Sequence, residues 1–315
     1  MKRKEQSIKI KFKSFPVFSL IFISLILFAD YLRNNSIYFM PKEYKVLMKI
    51  VDQLASKNDL SEREIPFTIT SGAYTAYVAE ELELCRDDGC YYFANLDPYK
   101  THRNVNDIDI NELIKQSYLV NGIEAYAWSG TTVMISQSTF QTYGENNGFL
   151  ACTVGHELSH IIFNDHIEQS KKLSEILKDV DDRNFEELSI NLENEIGSYD
   201  LKELSFNELK EFIELSLSRE SEAIADNNGT VMVINSGYEN DTCLEELTFL
   251  TSTSFYPTDT DLNSTHPGYI ERYESLEKFI NAYIESNQIT THEPFKWRWI
   301  YNRRKNTLIF RPLKS

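Results

Sequence analysis

The sequence is short of positive charge: 32 Lys and Arg stand against 48 Asp and Glu, a formal net charge of −16 over 315 residues. Binding to nucleic acid needs a basic face to meet phosphate, so that class of function is excluded as an expectation. Internal repeats and low-complexity linkers are also missing, which argues against a solenoid or a string of modules. Only 4 cysteines occur, and no second Cys or His pair stands at ligand spacing, so a zinc knuckle is not expected. After residue 30 no stretch is apolar enough to span a bilayer. What is present is enough for a core: 42% of residues are hydrophobic and 13% aromatic, which supports one large domain or two small ones.

The cations that do occur are unevenly placed. Lys2, Arg3, Lys4, Lys9, Lys11 and Lys13 precede an uncharged apolar run from Phe15 to Ala29, which Asp30 ends. A basic segment followed by a hydrophobic one reads as an export signal, so residues 1–32 are expected to form a signal peptide or signal anchor. The basic side stays in the cytoplasm and the rest lies outside, in the periplasm or cell envelope. Cys85 and Cys90 suit that oxidising space. They bracket a turn sequence that would bring two strands together, and a disulfide between them is expected. Pairing of Cys152 with Cys243 has no support in the sequence.

Periodicity divides the remainder. Residues 40–120 read as an α/β portion. A helix is predicted over Pro41 to Ala55, strands over Ile65 to Val78 and Cys90 to Ala94, and a helix over Ile108 to Leu119. Residues 121–290 read as a second, larger and mostly helical portion, which carries the motifs described below. It opens with short strands at Ile123 to Ser129 and Thr131 to Ser136, followed by a long helix from Asn147 to His166. An acidic insert, 167–217, has leucine and isoleucine at helical spacing and reads as two amphipathic helices with solvated outer faces. Ser205 and Glu208 form a capping box opening a helix to Ile234, and His266-Pro267 is expected to open another. Residues 291–315 alternate around Asn302 to Asn306 as a basic-aromatic hairpin, with Trp297, Trp299, Tyr301 and Phe310 as packing residues.

The chemistry begins at His156-Glu157-Leu158-Ser159-His160, an H-E-x-x-H sequence on a predicted helix. Residues four apart are about 40° apart around the axis, so both imidazoles aim at one spot. Zinc accepts neutral imidazole and needs a third protein ligand and an open position. Glu157 then stands where it can serve as general base. Two residues compete for third ligand. His166 has the spacing of three-histidine sites, but those need a glycine where Phe163 stands, to turn the chain back. Glu222 lies in Ser218-Arg219-Glu220-Ser221-Glu222-Ala223-Ile224-Ala225-Asp226. Glu222 and Asp226 share one helix face, which would place the first on the metal and the second behind a ligating imidazole.

Taken in order, H-E-x-x-H, S-R-x-x-E-x-x-A-D and the Ser264-Thr265-His266-Pro267 sequence followed by Arg272 resemble the CaaX prenyl endopeptidase and HtpX-like family of zinc proteases. Asn121 to Trp128 resembles that family's N-A-F-A strand. The resemblance runs from about Val120 to Leu276. It implies one Zn²⁺ held by His156, His160 and Glu222, in an α+β, mostly helical zincin-type domain around a small sheet. It also gives His266 a role, either as donor to the reaction oxyanion or as a resting-state ligand, with Arg272 anchoring the segment. Multiple membrane spans and a helical-repeat tail are not seen. A zinc-dependent endopeptidase of the envelope, anchored or exported, is therefore the expectation, acting on proteins or peptides. Its substrate would add to an edge strand, either Glu124 to Ser129 or Val133 to Gln137. The rival is an envelope chaperone or scaffold retaining the zinc fold with little turnover. Glu157 speaks against that, since a non-catalytic site needs no general base.

Overall fold

A computed structural model describes residues 21–28, 36–60, 62–85, 89–120, 122–178, 205–252, 257–261, 263–286 and 296–313. The chain divides into two compact units, Met1–Met40 and Pro41–Ser315. In the first, residues 21–28 are helical with their apolar side chains exposed, and Ser36–Phe39 is a 3-10 turn. The remainder of the expected signal segment lies outside the described residues. No described helix is long and apolar enough to cross a membrane.

The second unit begins with α1 (Lys42–Ala55). Of the face that helical spacing predicts, Tyr44, Leu47, Met48, Val51 and Leu54, all are fully buried except Met48, which is half-buried. β1 (Ile65–Thr70) alternates as a half-covered strand should, with Ile65, Phe67 and Ile69 inward. The strand does not continue to Val78 as predicted. Gly72 takes φ 88°, a conformation that favours glycine, and turns the chain into α2 (Ala73–Glu81). The segment predicted as a strand from Cys90 is instead a short helix, α3 (Tyr91–Ala94). The Cys85–Cys90 disulfide is formed, but it joins helical neighbours rather than paired strands. With α4 (Ile110–Leu119), these helices enclose a satellite core around Phe93, Leu96, Leu113 and Ile114.

β2 (Ala125–Trp128) and β3 (Thr132–Ser136) follow as expected, then α5 (Gln137–Tyr143) and α6 (Asn147–Phe163). The single helix predicted to His166 breaks at Asn164, which is left-handed at φ 54°, a conformation Asn tolerates. His166 therefore belongs to α7 (Asp165–Leu177). Of the acidic insert, residues 179–204 lie outside the described residues. Its far end opens α8 (Phe206–Asn235) with the predicted capping box: Ser205 N–H donates to Glu208 and Glu208 N–H to Ser205 Oγ.

α9 (Thr242–Ser252) precedes α10 (Tyr269–Glu285). Gly268, not His266-Pro267, begins α10. A Cβ at Gly268 would meet the backbone of Asp259 and Thr260, so the chain needs glycine there and the helix starts after it. β4 (Trp297–Asn302) and β5 (Thr307–Pro312) complete the hairpin. Its aromatic positions pack as expected, with the indoles of Trp297 and Trp299 both donating to Asp52 at 2.7 Å.

The sheet order is β2-β3-β1-β5-β4, with β1 and β3 parallel and the other pairs antiparallel. This decides between the two strands proposed for substrate addition. β3 is interior, flanked on both sides, and has no free edge. Among the described residues β2 pairs with β3 alone, which leaves its other edge open there.

Candidate active site

The site rests on two helices that touch at their backbones. A Cβ at Gly155 would lie 3.0 Å from the carbonyl oxygen of Gly229, and one at Gly229 only 2.6 Å from the amide nitrogen of His156. No side chain but hydrogen fits, so α6 and α8 approach closely enough for α8 carboxylates to reach α6 imidazoles. The Cys152–Cys243 disulfide fastens α6 to α9 one turn before His156. These contacts hold the rear of the site rigid.

The two histidines converge as the spacing demands. Their Nε2 atoms are 3.1 Å apart, and Glu222 approaches from α8, with Oε2 3.2 Å from Nε2 of His156 and Oε1 3.4 Å from Nε2 of His160. The other ring nitrogen is occupied in each case. His156 Nδ1 donates to Asp226 at 2.8 Å and His160 Nδ1 to Asp165 at 2.7 Å. A carboxylate can only accept, so these bonds fix Nδ1–H and leave both Nε2 lone pairs turned toward each other and toward Glu222.

Three acceptors facing one another call for a cation. Oε2 of Glu222 is buried and makes no hydrogen bond. Burial opposes its charge, but the His156 and His160 imidazoles outweigh that and hold the carboxyl well below the usual range. His156, His160 and Glu222 form a group whose ligand atoms lie within 4.8 Å of one another, and it could hold a metal ion. Two nitrogens and one oxygen suit zinc. Without metal the same cage would hold protons instead. Although burial works against a charged ring, Asp165 and Glu222 raise His160 to about 9. Asp226 and Glu222 raise His156 well above its ordinary value. Metal entry then displaces those protons.

Glu157 is buried beside this group, and burial raises its carboxyl above the usual range, offset in part by the two histidines. Arg272 of α10 donates through Nε to Asp226 at 2.7 Å, and its Nη2 pairs with the same carboxylate. Burial disfavours that charge too, but Arg272 and His156 bring Asp226 to about 2. His266 faces the group from the other side, its Nε2 3.5 Å from Glu222 Oε2, while Nδ1 meets Thr265 Oγ1 at 2.8 Å. The structure thus brings together His156, Glu157, His160, Glu222, Asp226, His266 and Arg272. His166 is not part of the group that could hold a metal ion. It lines the wall beside Gly130.

Some of these contacts were not read from sequence. Asp165 supports the second histidine from a position available only because the chain turns at Asn164. Arg219 of the second motif donates to the carbonyl of Ser264 at 2.9 Å and so holds the loop that carries His266. Glu246, buried, accepts from Thr153 Oγ1 at 3.1 Å and from the Tyr143 hydroxyl. Burial raises its carboxyl above the usual range.

The metal-ligand group lies between two hollows. One, about 590 Å³, runs past Thr153 and Glu157 toward Glu246 and Leu250. The other, about 240 Å³, runs past His160 toward Ser218 and His166. Ala125 and Tyr126 of β2 border both, so an open groove follows the free strand edge across the site. Converging imidazoles and carboxylate, a buried carboxyl beside them and a groove for an extended chain fit a metal-dependent peptide hydrolase. Consistent with this, the sequence model of peptidase family M48 matches residues 112–280, more than half of the chain. The chain belongs to that family of zinc metalloproteases and is a protease, with peptides or proteins as substrates. No curated protein and no solved structure matches it significantly.

Proposed function

We propose that the protein is a zinc-dependent endopeptidase of the cell envelope, with His156, His160 and Glu222 as ligands and Glu157 as general base. The observation that carries this is the lone-pair convergence: two Nε2 atoms and an unbonded carboxylate oxygen face a common point. Zinc bound there would supply Lewis acidity to an attacking water and to the scissile carbonyl. Glu157 takes the proton from that water and passes it to the leaving amine, and its raised pKa moves it toward the range a base at neutral pH needs. Asp226 and Asp165 keep the imidazoles in the required tautomer, and Arg272 keeps Asp226 charged. His266 donates to the oxyanion from across the groove, a role its burial-lowered pKa suits by favouring the neutral ring.

The substrate backbone adds to the free edge of β2, which orients it over the metal ligands without selecting side chains. Residues 1–32 direct the chain to the membrane or across it, placing the catalytic unit outside the cytoplasm. Unfolded envelope proteins are then its natural substrates, and a net charge of −16 speaks against nucleic acid. The test is degradation of an unfolded protein by purified full-length enzyme, with and without a zinc chelator. It is paired with proteomes of membrane and envelope fractions from cells carrying wild type or Glu157→Gln. Chelator-insensitive cleavage would reject the zinc mechanism. Cytoplasmic proteins alone accumulating in the variant would reject the envelope role.

A further inference from the structure

Part of the groove wall is built by residues outside the family match. The match begins at residue 112, yet Tyr91 and Ala94 of α3 border the larger hollow together with His156 and Glu157. Here three rings make a shelf. Tyr91 stacks on Trp128 with centroids 5.4 Å apart and planes 25° apart, and Trp128 meets Tyr126 edge-on at 6.4 Å.

Hydrogen bonds close the arrangement. Tyr91 hydroxyl donates to that of Tyr126 at 3.4 Å, Tyr126 donates to Asn95 Oδ1 at 2.6 Å, and Asn95 Nδ2 donates to the Tyr91 carbonyl at 3.0 Å. The Cys85–Cys90 disulfide ends at the residue before Tyr91. Despite this organisation, Tyr91 and Trp128 remain 51% and 48% exposed. Rings held in place but left half in water are matched to a ligand rather than to the core.

We propose that this shelf is a substrate subsite for a large apolar or aromatic side chain, set away from the scissile bond. It rests on the reading of the β2 groove as the substrate path. A strand added to β2 presents side chains to one face at every second residue, roughly 6.8 Å apart. Tyr126 and Trp128 are spaced in the same way on β2, so a bound chain running along this edge carries one such residue past the shelf. Tyr91 then supplies the stacking face that β2 alone lacks. The protein would thereby favour the segments that folded proteins hide and unfolded ones expose.

The experiment measures binding of two labelled, unstructured peptides, identical but for a single Trp or Ser, to zinc-loaded full-length protein carrying Glu157→Gln. The Trp peptide is expected to bind roughly three- to tenfold tighter, the range for one aromatic pair. Adding Trp128→Ala or Tyr91→Ala should bring the two peptides within about twofold of each other, whereas Trp128→Phe, which keeps a ring, should preserve the preference. Equal binding in the parent, or a preference surviving both alanine variants, overturns the subsite. The active enzyme separates the two levels of the proposal. Cleavage of both peptides with equal binding rejects the shelf alone. Neither binding nor cleavage of either peptide rejects the groove and the shelf with it.

Discussion

The two walls of the groove hold their side chains by different means. At the rear, α6 and α8 meet through Gly155 and Gly229 with no side chain between them. Across that contact Glu222 and Asp226 meet the two histidines, and Asp165 of α7 meets His160, all at 2.7–3.4 Å. At the front, α2 to α4 pack around an ordinary apolar cluster and leave Tyr91 and Tyr92 toward solvent. Charged groups in a dry site interact strongly, and small displacements cost much, so they need backbones locked at contact distance. A wall that only shapes a groove tolerates looser construction. Substitutions should therefore have steep effects at the rear and shallow ones at the front.

Five substitutions would break or sharpen that contrast. The largest effect is expected from Glu157→Gln, which should cut turnover of an unfolded protein on the order of 10³- to 10⁴-fold while zinc content stays at about one per chain. An empty variant would make Glu157 a ligand rather than a base. His266→Ala should lower turnover by about 10²–10³-fold with zinc retained. A rise in basal cleavage would show instead that His266 blocks the resting site.

Asp226→Asn should weaken zinc affinity or activity by roughly 10- to 100-fold, since it removes the charge that fixes the His156 tautomer. Competition with a coloured chelator measures this directly, and unchanged affinity would reduce Asp226 to a partner for Arg272. Gly229→Ala should destabilise the fold by about 1–3 kcal/mol, because the new methyl meets backbone that cannot move aside. Tyr92→Ala on the front wall, where the ring is 69% exposed, should change stability by no more than about 0.5 kcal/mol. Equal losses in the two variants by chemical denaturation would erase the difference between the walls.

The same contrast governs how much the sequence reveals. Metal chemistry dictates spacing, so His156, His160, Glu222 and Asp226 could be placed on helix faces before any fold was known. The capping box at Ser205 and the terminal hairpin are local signals of the same kind. Asp165 escaped because its position depends on one left-handed residue, Asn164, and a helix read straight through to His166 points it elsewhere. The Cys152–Cys243 pair spans 91 residues and leaves no local trace. On the front wall, β-branched and aromatic residues suggested strands at 71–78 and 90–94. Packing on the satellite core and the positive φ of Gly72 made them helices instead. Strand order was hidden as well. Nothing near β3 shows that β1 covers it on one side and β2 on the other, and only that arrangement removes β3 as a docking edge.

The assignment of Glu222 over His166 is tested most directly by zinc content. Wild type, Glu222→Ala and His166→Ala are purified in parallel without chelator, and metal per chain is determined by elemental mass spectrometry. The expected result is about one zinc per chain in wild type and in His166→Ala, and little or none in Glu222→Ala, since a catalytic site needs three protein ligands. Zinc retained by Glu222→Ala and lost from His166→Ala would contradict the assignment and move the third ligand from α8 to α7.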